Sequence, residues 1–126
     1  MSWQAYVDTN LVGSGKVTRA AIIGQKGGVW AATAGYTLST EEINAIIAAY
    51  KPGSEVLSTG LRLAGQKFFG IRAEGRSIYL KKGGDGAVIV KTEQAILVAE
   101  YIAPLQAPET TPIVEGLADY LISVKY

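Results

Sequence analysis

The sequence contains neither cysteine nor histidine among its 126 residues. The absence of cysteine excludes disulfide bonds, thiolate metal ligands and a cysteine nucleophile. The absence of histidine removes the commonest general base and the usual zinc ligand. Catalysis would have to depend on carboxylates, lysine or tyrosine. We therefore expect a protein that binds partners and is not an enzyme, with no metal site and no cofactor.

Long apolar runs are also absent. No uninterrupted apolar stretch approaches the ~18 residues that a membrane-spanning helix needs. The first residues lack a basic start followed by an apolar core, and Asp8 interrupts them early, so we expect no secretory signal. With 48% apolar and 18% charged residues, the composition is that of an ordinary globular protein. We expect a single domain over residues 1–126, located in the cytoplasm.

Charge is distributed unevenly, although the formal net charge is only +1. Residues 62–91 carry seven basic and two acidic residues, a net +5, whereas the rest of the chain carries five basic and nine acidic residues, a net −4. A local basic field indicates an anionic partner, but a solvated strand face has the same composition, and charge alone leaves both interpretations open. Nucleic acid is disfavoured, because no RNA-stacking aromatic motif is interleaved with the basic residues.

Large aromatic residues are concentrated near the two ends of the sequence. Trp3 and Tyr6 lie near the start, and Tyr120 and Tyr126 lie near the end. Each ring can bury roughly 150–250 Å² and therefore belongs in a core or a binding surface. If both end segments are helical and lie side by side, these rings form one patch, which is the first candidate site.

Three segments have helical patterns. In residues 2–12, Ser2 is a candidate N-cap, and Trp3, Tyr6, Val7 and Asn10 recur at helical spacing before two glycines end the pattern. Ser39 and Glu42 have the spacing of a capping box, and the helix that they begin ends before Pro52. A last helix is predicted from about Thr110 to Val124, after a loop marked by three prolines: Pro104, Pro108 and Pro112.

One aromatic residue of the last helix is not explained by core packing. The core-facing stripe of this helix consists of five apolar residues: Val114, Leu117, Ala118, Leu121 and Ile122. Tyr120 lies roughly 120° from the centre of that stripe. We expect its ring to be exposed unless another element covers it.

The remaining segments predict strands. Residues 17–24 and 29–34 flank the turn Lys26-Gly27-Gly28, and five further runs follow at 60–64, 66–73, 76–82, 86–91 and 94–101. Connections this short indicate antiparallel pairing. The predicted fold class is α+β: one antiparallel sheet of about seven strands, with the N- and C-terminal helices side by side on one face and a further short helix on the other.

Four segments together resemble profilins, specifically the short fungal form: WQAYVDTNLVGSGKV, GGVWA, GQKFFGIRAEGRSIY and LADYLISVKY. The resemblance covers essentially the whole chain. It implies a monomeric cytoplasmic and cytoskeletal protein that binds monomeric actin, proline-rich proteins such as formins, and anionic phosphoinositide membrane surfaces, but no nucleic acid. Actin polymerisation would be regulated by delivering actin to proline-rich assembly factors.

The resemblance also implies which residues bind proline-rich peptides: Trp3, Tyr6, Trp30, Tyr120, Leu121 and Tyr126. Proline-rich peptides form polyproline II helices that lose little entropy on binding, and aromatic grooves hold them. Phenol and indole groups can donate hydrogen bonds to the peptide carbonyls, which have no internal partners. Core packing alone would explain Trp3 or Leu121 taken singly, whereas the six residues taken together favour the binding of proline-rich peptides.

By the same resemblance, the actin-binding residues are Lys67, Arg72, Tyr79, Lys81, Lys91 and Glu115, with the 112–116 start of the last helix. The phosphoinositide-binding residues are Arg72, Arg76, Lys81 and Lys82. We expect this basic surface to lie on the side opposite the aromatic patch. Lys67 and Arg72 have opposite parity on one strand, so a bulge at Gly70 is needed to bring them to a common face.

Some residues depart from the family pattern. Pro112 stands where relatives often carry lysine, and Leu80 and Pro108 stand where they carry glycine. An adaptor that binds phosphoinositides and proline-rich peptides through a weakened actin face is therefore an alternative. A scaffold or sensor module that buries a ligand is another, although the GSGK segment is too short for a phosphate-binding loop.

Overall fold

The computed structural model describes residues 2–126, which contain a seven-stranded antiparallel sheet in the order β2-β1-β7-β6-β5-β4-β3. The strands are β1 (Arg19–Gly24), β2 (Val29–Ala32), β3 (Leu61–Leu63), β4 (Gln66–Glu74), β5 (Ser77–Lys82), β6 (Asp85–Lys91) and β7 (Ala95–Tyr101). The predicted sheet and its pairing are confirmed, with strand ends within a few residues of those expected.

In the described part of the chain, four α-helices accompany the sheet: α1 (Trp3–Ala5), α2 (Thr40–Ala48), α3 (Val56–Thr59) and α4 (Ala107–Ser123). The chain continues from α1 as a π-helical segment (Tyr6–Leu11) and a 3₁₀ turn (Val12–Ser14), and we call residues 3–14 the N-terminal helical segment. The Ser2 hydroxyl caps its start by accepting a hydrogen bond from the backbone N–H of Ala5. The predicted capping box of α2 is present, whereas α3 was not predicted.

The sheet is buried on both faces, because successive residues of its central strands enter two different cores. Ile22 and Val88 contribute to the core beneath the N-terminal helical segment and α4, whereas the adjacent Ile23 and Ile89 contribute to the core beneath α2. These strands therefore show continuous apolar runs in an antiparallel sheet, where one solvated face is more usual. The predicted layering of helices on the two faces is confirmed.

The start of α4 differs from the prediction. The helix begins at Ala107, three residues before Thr110, with Gln106 at the N-cap, where its backbone N–H donates to the Glu109 carboxylate over 3.2 Å. Pro108 lies in the first turn, where backbone N–H groups have no helical partner. Pro112 lies in the second turn, where its missing N–H removes one helical hydrogen bond. Neither proline is therefore in a loop.

Candidate functional site

The five aromatic residues predicted to bind peptide lie together as one patch: Trp3, Tyr6, Trp30, Tyr120 and Tyr126. The ring of Trp3 lies in the centre, with its centroid 4.7 Å from that of Trp30, 5.5 Å from Tyr6 and 5.1 Å from Tyr126. The rings of Tyr6 and Tyr120 are 6.1 Å apart. We call this group the aromatic patch. Its rings come from the N-terminal helical segment, β2, α4 and the residues after α4.

The rings differ in how much of each faces solvent. Tyr120 and Tyr126 are 50% and 42% exposed, Trp3 and Trp30 are half-buried, and Tyr6 is buried among them. Leu121 is completely buried in the core between the terminal helices. Its side chain has no exposed surface to offer a ligand and packs in the same core as Tyr6.

Tyr126 is held in place although it lies beyond the last helix. Its backbone N–H donates to the carbonyl of Leu121 over 2.8 Å, with Lys125 in the left-handed region at φ 75°. The main-chain oxygen of Tyr126 accepts a hydrogen bond from Thr92 Oγ1 at 2.7 Å. The Gln94 side chain also donates to the Lys125 carbonyl at 2.8 Å. These contacts tie the segment after α4 to the β6–β7 turn and fix the ring in the patch.

Trp30 depends on a glycine of the neighbouring strand. A Cβ added at Gly24 would lie 2.8 Å from Trp30 Nε1 and 3.0 Å from the Gly27 carbonyl oxygen. Any larger residue there would displace the indole or the turn. Gly24 therefore positions Trp30, and the sequence offered no signal for this role beyond the glycine itself.

The patch suits an extended, proline-rich ligand. The facing Tyr120 hydroxyl, and secondly burial, raise the pKa of Tyr6 above its ordinary value, so the phenol is neutral at physiological pH. The rings present flat apolar surfaces beside hydroxyl and indole donors. This combination matches a ligand that carries apolar rings and unpaired carbonyl groups.

A second surface lies on β4 and β5. The strand register shifts between Gly70 and Arg72, with Ile71 as the extra residue, which confirms the predicted bulge. Phe69 pairs with Lys81, and Arg72 pairs with Tyr79. The bulge therefore returns Arg72 to the face that carries Lys67 and Lys81. We call this surface the basic face: Lys67, Phe69, Ile71, Arg72, Tyr79 and Lys81.

The basic face is not on the opposite side of the sheet from the aromatic patch. Tyr79 packs against the core of the terminal helices, so both surfaces lie on the same sheet face. Helix α4 packs on β6 and β7 and separates the patch from the strands beyond it. The expected location is corrected accordingly: the two surfaces are separated by α4, not by the sheet.

Exposed apolar residues accompany the cations of the basic face and were not predicted. Phe68 is 1% exposed, whereas its neighbour Phe69 is 64% exposed, and Ile71 in the bulge is 58% exposed. The Arg72 guanidinium lies 4.3 Å from the centroid of the Tyr79 ring, a cation–π contact. The sequence contains a signal for this exposure, because two adjacent phenylalanines on a strand must point to opposite faces of the sheet.

Other predicted residues are not brought to this face. Lys91 lies on the α2 side of the sheet, where its ammonium is 5.3 Å from the centroid of the Tyr50 ring. Lys82 pairs with Asp85 beside the β5–β6 turn, and strand alternation sends it away from Lys81. Leu80, one of the departures from the family pattern, is buried in the α2-side core.

Arg76 and Glu115 bind each other. The Arg76 guanidinium contacts Glu115 at 2.6 Å and Asp119 at 2.8 Å, and the hydrogen bond to Asp119, followed by that to Glu115, raises its pKa. Glu115 also accepts a hydrogen bond from the Ser77 hydroxyl. The pair therefore joins α4 to the start of β5, and the two carboxylates more than offset the single positive charge of Arg76.

Within residues 2–126, no group of three or more acidic side chains is placed to hold a metal ion. In the same part of the chain, no helix has the length and apolarity required to cross a bilayer.

Comparison with known proteins gives a consistent result. The profilin family matches over residues 1–126. Profilin of Schizosaccharomyces pombe is 50% identical over the full length of both chains. Its crystal structure matches with a TM-score of 0.95 over 99% of this chain and all of that one, at 49% identity. Mouse profilin IIa, solved with a double repeat from the FH1 domain of mDia1, matches with a TM-score of 0.81 at 25% identity over all of both chains. The chain therefore belongs to the profilin family, whose members are actin-binding regulatory proteins and not enzymes.

Proposed function

We propose that this protein binds proline-rich segments through the aromatic patch and monomeric actin through the basic face. It thereby delivers actin to proline-rich assembly factors such as formins. The observation that carries the proposal is the assembly of five rings, from four separate segments, into one partly exposed patch. The mouse relative solved with an FH1 double repeat supports a proline-rich ligand for the same fold.

The composition of the basic face supports the actin-binding part of the proposal. Protein interfaces combine an apolar centre with charges that steer and orient the partner. Phe69 and Ile71 supply exposed apolar area, and Lys67, Arg72 and Lys81 surround it with positive charge. An acidic protein surface with apolar residues at its centre would fit this arrangement.

Phosphoinositide binding is a further proposed function of the same face. Arg72 and Lys81 share a face and present cations that could contact lipid phosphates. Arg76 contributes less, because two carboxylates already bind its guanidinium. Lipid and actin would then compete. We place the protein in the cytoplasm and at the cytoskeleton, with reversible attachment to anionic membranes.

Capture on immobilised polyproline tests the central proposal. The purified protein should be retained on the resin and should in turn retain purified monomeric actin, whereas resin without the protein should retain no actin. Failure of the protein to bind the resin would refute the proposed peptide function. Retention of the protein without actin would instead favour the alternative, an adaptor with a weakened actin face.

A further inference from the structure

The β6–β7 turn lies between the two segments that carry Trp30 and Tyr126. On one side, the Gln94 backbone N–H and the Thr92 hydroxyl both donate to the main-chain oxygen of Tyr126, over 2.5 and 2.7 Å. On the other side, the Gln25 backbone N–H donates to the Gln94 carbonyl over 3.0 Å, and the Gln25 side chain donates to the Thr92 carbonyl. Gln25 begins the β1–β2 connection that leads to Trp30. One turn therefore holds both segments, whose ring centroids are 6.5 Å apart.

We propose that the β6–β7 turn positions the Tyr126 ring for peptide binding, with Thr92 as the residue that holds it. The inference rests on the proposed peptide function and assigns to it a residue outside the aromatic patch. Thr92 is only 5% exposed and belongs to none of the segments that supply rings. It therefore acts through Tyr126 and is a positioning residue.

The hydrogen bonds of the Thr92 hydroxyl leave its proton for Tyr126. A hydroxyl group has one proton to donate and two lone pairs that accept. The Thr92 oxygen accepts from the Ala95 backbone N–H over 3.0 Å. The Ala95 carbonyl lies 3.2 Å from the hydroxyl, but it already accepts from the Thr92 backbone N–H over 2.9 Å. The hydroxyl proton is therefore donated to the closer main-chain oxygen of Tyr126, at 2.7 Å.

The main chain before Tyr126 has a conformation that requires such a contact. Beyond the end of α4, Lys125 lies in the left-handed region at φ 75°, which is unfavourable for a residue with a Cβ. Conformations of this kind persist only where surrounding contacts hold them. The Tyr126 ring packs against Trp3 but remains 42% exposed, so ring packing encloses only part of it. Loss of the Thr92 hydrogen bond should therefore release the segment and move the ring from its place in the patch.

A double-mutant cycle tests the proposal on the full chain, with affinity for a ten-proline peptide measured by calorimetry. Thr92→Val replaces the hydroxyl with a methyl group and should weaken peptide binding about fivefold, because the ring is no longer held. Thr92→Ser keeps the hydroxyl and should bind within about twofold of the unsubstituted protein. Tyr126→Ala should weaken binding about tenfold. Adding Thr92→Val to Tyr126→Ala should cause no further loss, because the ring through which Thr92 acts is absent.

Tryptophan emission of the free protein gives a readout that does not involve the peptide. The chain contains two tryptophans, and the Tyr126 ring lies 5.1 Å from Trp3 and 6.5 Å from Trp30. Thr92→Val and Tyr126→Ala should both shift the emission maximum to longer wavelength, because water then reaches the indoles. Thr92→Ser should cause no shift. An unshifted maximum in Thr92→Val would show that the ring stays in place without the hydroxyl, and would overturn the proposal.

Two exposed residues of the same turn provide a matched pair of variants. Gln94→Ala removes the side-chain hydrogen bond to the Lys125 carbonyl but leaves the Thr92 hydroxyl in place. It should weaken peptide binding about threefold. Glu93→Ala shortens the adjacent exposed side chain and should leave peptide affinity unchanged. If chemical denaturation shows that Thr92→Val does not fold, this pair decides the question, and equal affinities for the two variants would overturn the proposal.

Failure of the inference differs from failure of the proposed peptide function. An equal loss from Thr92→Val with and without the Tyr126 ring would show a general effect on the fold and would overturn the positioning role. An unchanged affinity in folded Thr92→Val would do the same. In both cases the unsubstituted protein still binds the peptide. If the unsubstituted protein does not bind it, the proposed peptide function itself fails, and the positioning role fails with it.

Discussion

The aromatic patch and the basic face lie on the same side of the sheet but are built in different ways. The patch joins rings from four segments, and hydrogen bonds to the β6–β7 turn hold its last member, Tyr126, in place. The basic face lies on neighbouring strands: Lys67 and Arg72 are exposed, Lys81 is half-buried, and the Arg72 guanidinium lies 3.6 Å from the Glu74 carboxylate. A preorganised patch concentrates binding energy in a few rings. The basic face instead distributes its binding energy over several separate charges. We therefore expect a single substitution to cost more affinity in the patch than on the basic face.

The largest expected effect is the loss of the central ring of the patch. Trp3 contacts three of the other four rings, so Trp3→Ala removes a contact surface and also the central ring against which Trp30 and Tyr126 pack. We expect proline-peptide affinity to fall by about 2 kcal/mol or more, roughly 30-fold. Isothermal titration calorimetry with a ten-proline peptide measures the change.

Val29→Ala is the control for this experiment. Val29 is exposed and directly precedes Trp30, but it pairs with Ile23, whose side chain lies on the α2 face of the sheet. Its substitution should leave peptide affinity unchanged. An unaltered affinity in a folded Trp3→Ala protein would show that the patch is not the peptide site.

The second prediction separates two lysines that family resemblance assigned to the same site. Lys81→Glu reverses a charge on the basic face and should weaken actin binding about tenfold, with no change in peptide affinity. Lys91→Glu makes the same change on the α2 side of the sheet and should alter actin affinity less than twofold. The measurement is the affinity for fluorescently labelled monomeric actin. Equal losses from both substitutions would contradict the separation.

The fold could be predicted from the sequence wherever local patterns were sufficient. The capping box at Ser39 and the bulge at Gly70 depend on neighbouring residues and were predicted correctly. The start of α4 differs from its prediction, because closely spaced prolines predict a loop and two of them lie within the helix. The structure instead uses Gln106 as the cap and accommodates two prolines within the first two turns.

At the candidate sites too, the sequence predicts features that depend on local spacing but not contacts between distant residues. Tyr120 could be separated from the core stripe by helical spacing, and its exposure agrees with that interpretation. Arg76, which immediately precedes β5, pairs with Glu115 of α4, and no sequence pattern indicates this long-range contact. The face on which Lys91 lies is set by its pairing with Ile96, and the rest of β6 is buried on both faces, so the sequence pattern does not indicate which face is which.

The third prediction ranks three cations, Arg72, Lys81 and Arg76, by their contribution to lipid binding. Arg72→Gln and Lys81→Gln should each reduce binding to phosphoinositide-containing vesicles about fivefold, since a basic residue near an anionic surface contributes about 1 kcal/mol. Arg76→Gln should have a smaller effect, because Glu115 and Asp119 both bind Arg76 within 2.8 Å, whereas the one carboxylate beside Arg72, that of Glu74, is exposed and lies 3.6 Å away. Vesicle sedimentation across a salt series measures binding, and chemical denaturation monitors the stability of each variant. A dominant loss from Arg76→Gln at unchanged stability would contradict this order.

The smallest expected effect concerns the response of the aromatic patch to pH. The chain has no histidine, and the pKa of Tyr6 is raised by the facing Tyr120 hydroxyl and by burial. A raised pKa keeps the folded form protonated, so the stability contributed by Tyr6 is complete below the ordinary tyrosine value of about 10 and declines only above it. Peptide affinity should therefore change less than twofold between pH 5.5 and 7.5.

Tyr120→His should introduce a pH response into the same patch. An imidazole titrates near pH 6.5, and its charged form is less readily desolvated beneath a bound peptide than its neutral form. We expect peptide affinity of this variant to fall about threefold as the pH decreases from 7.5 to 5.5, because protonation then opposes burial of the ring. Calorimetry at four pH values, with the unsubstituted protein measured in parallel, provides the comparison. A matching pH response in the unsubstituted protein would place the titrating group outside the aromatic patch, and a flat response in the variant would mean that bound peptide leaves residue 120 in contact with water.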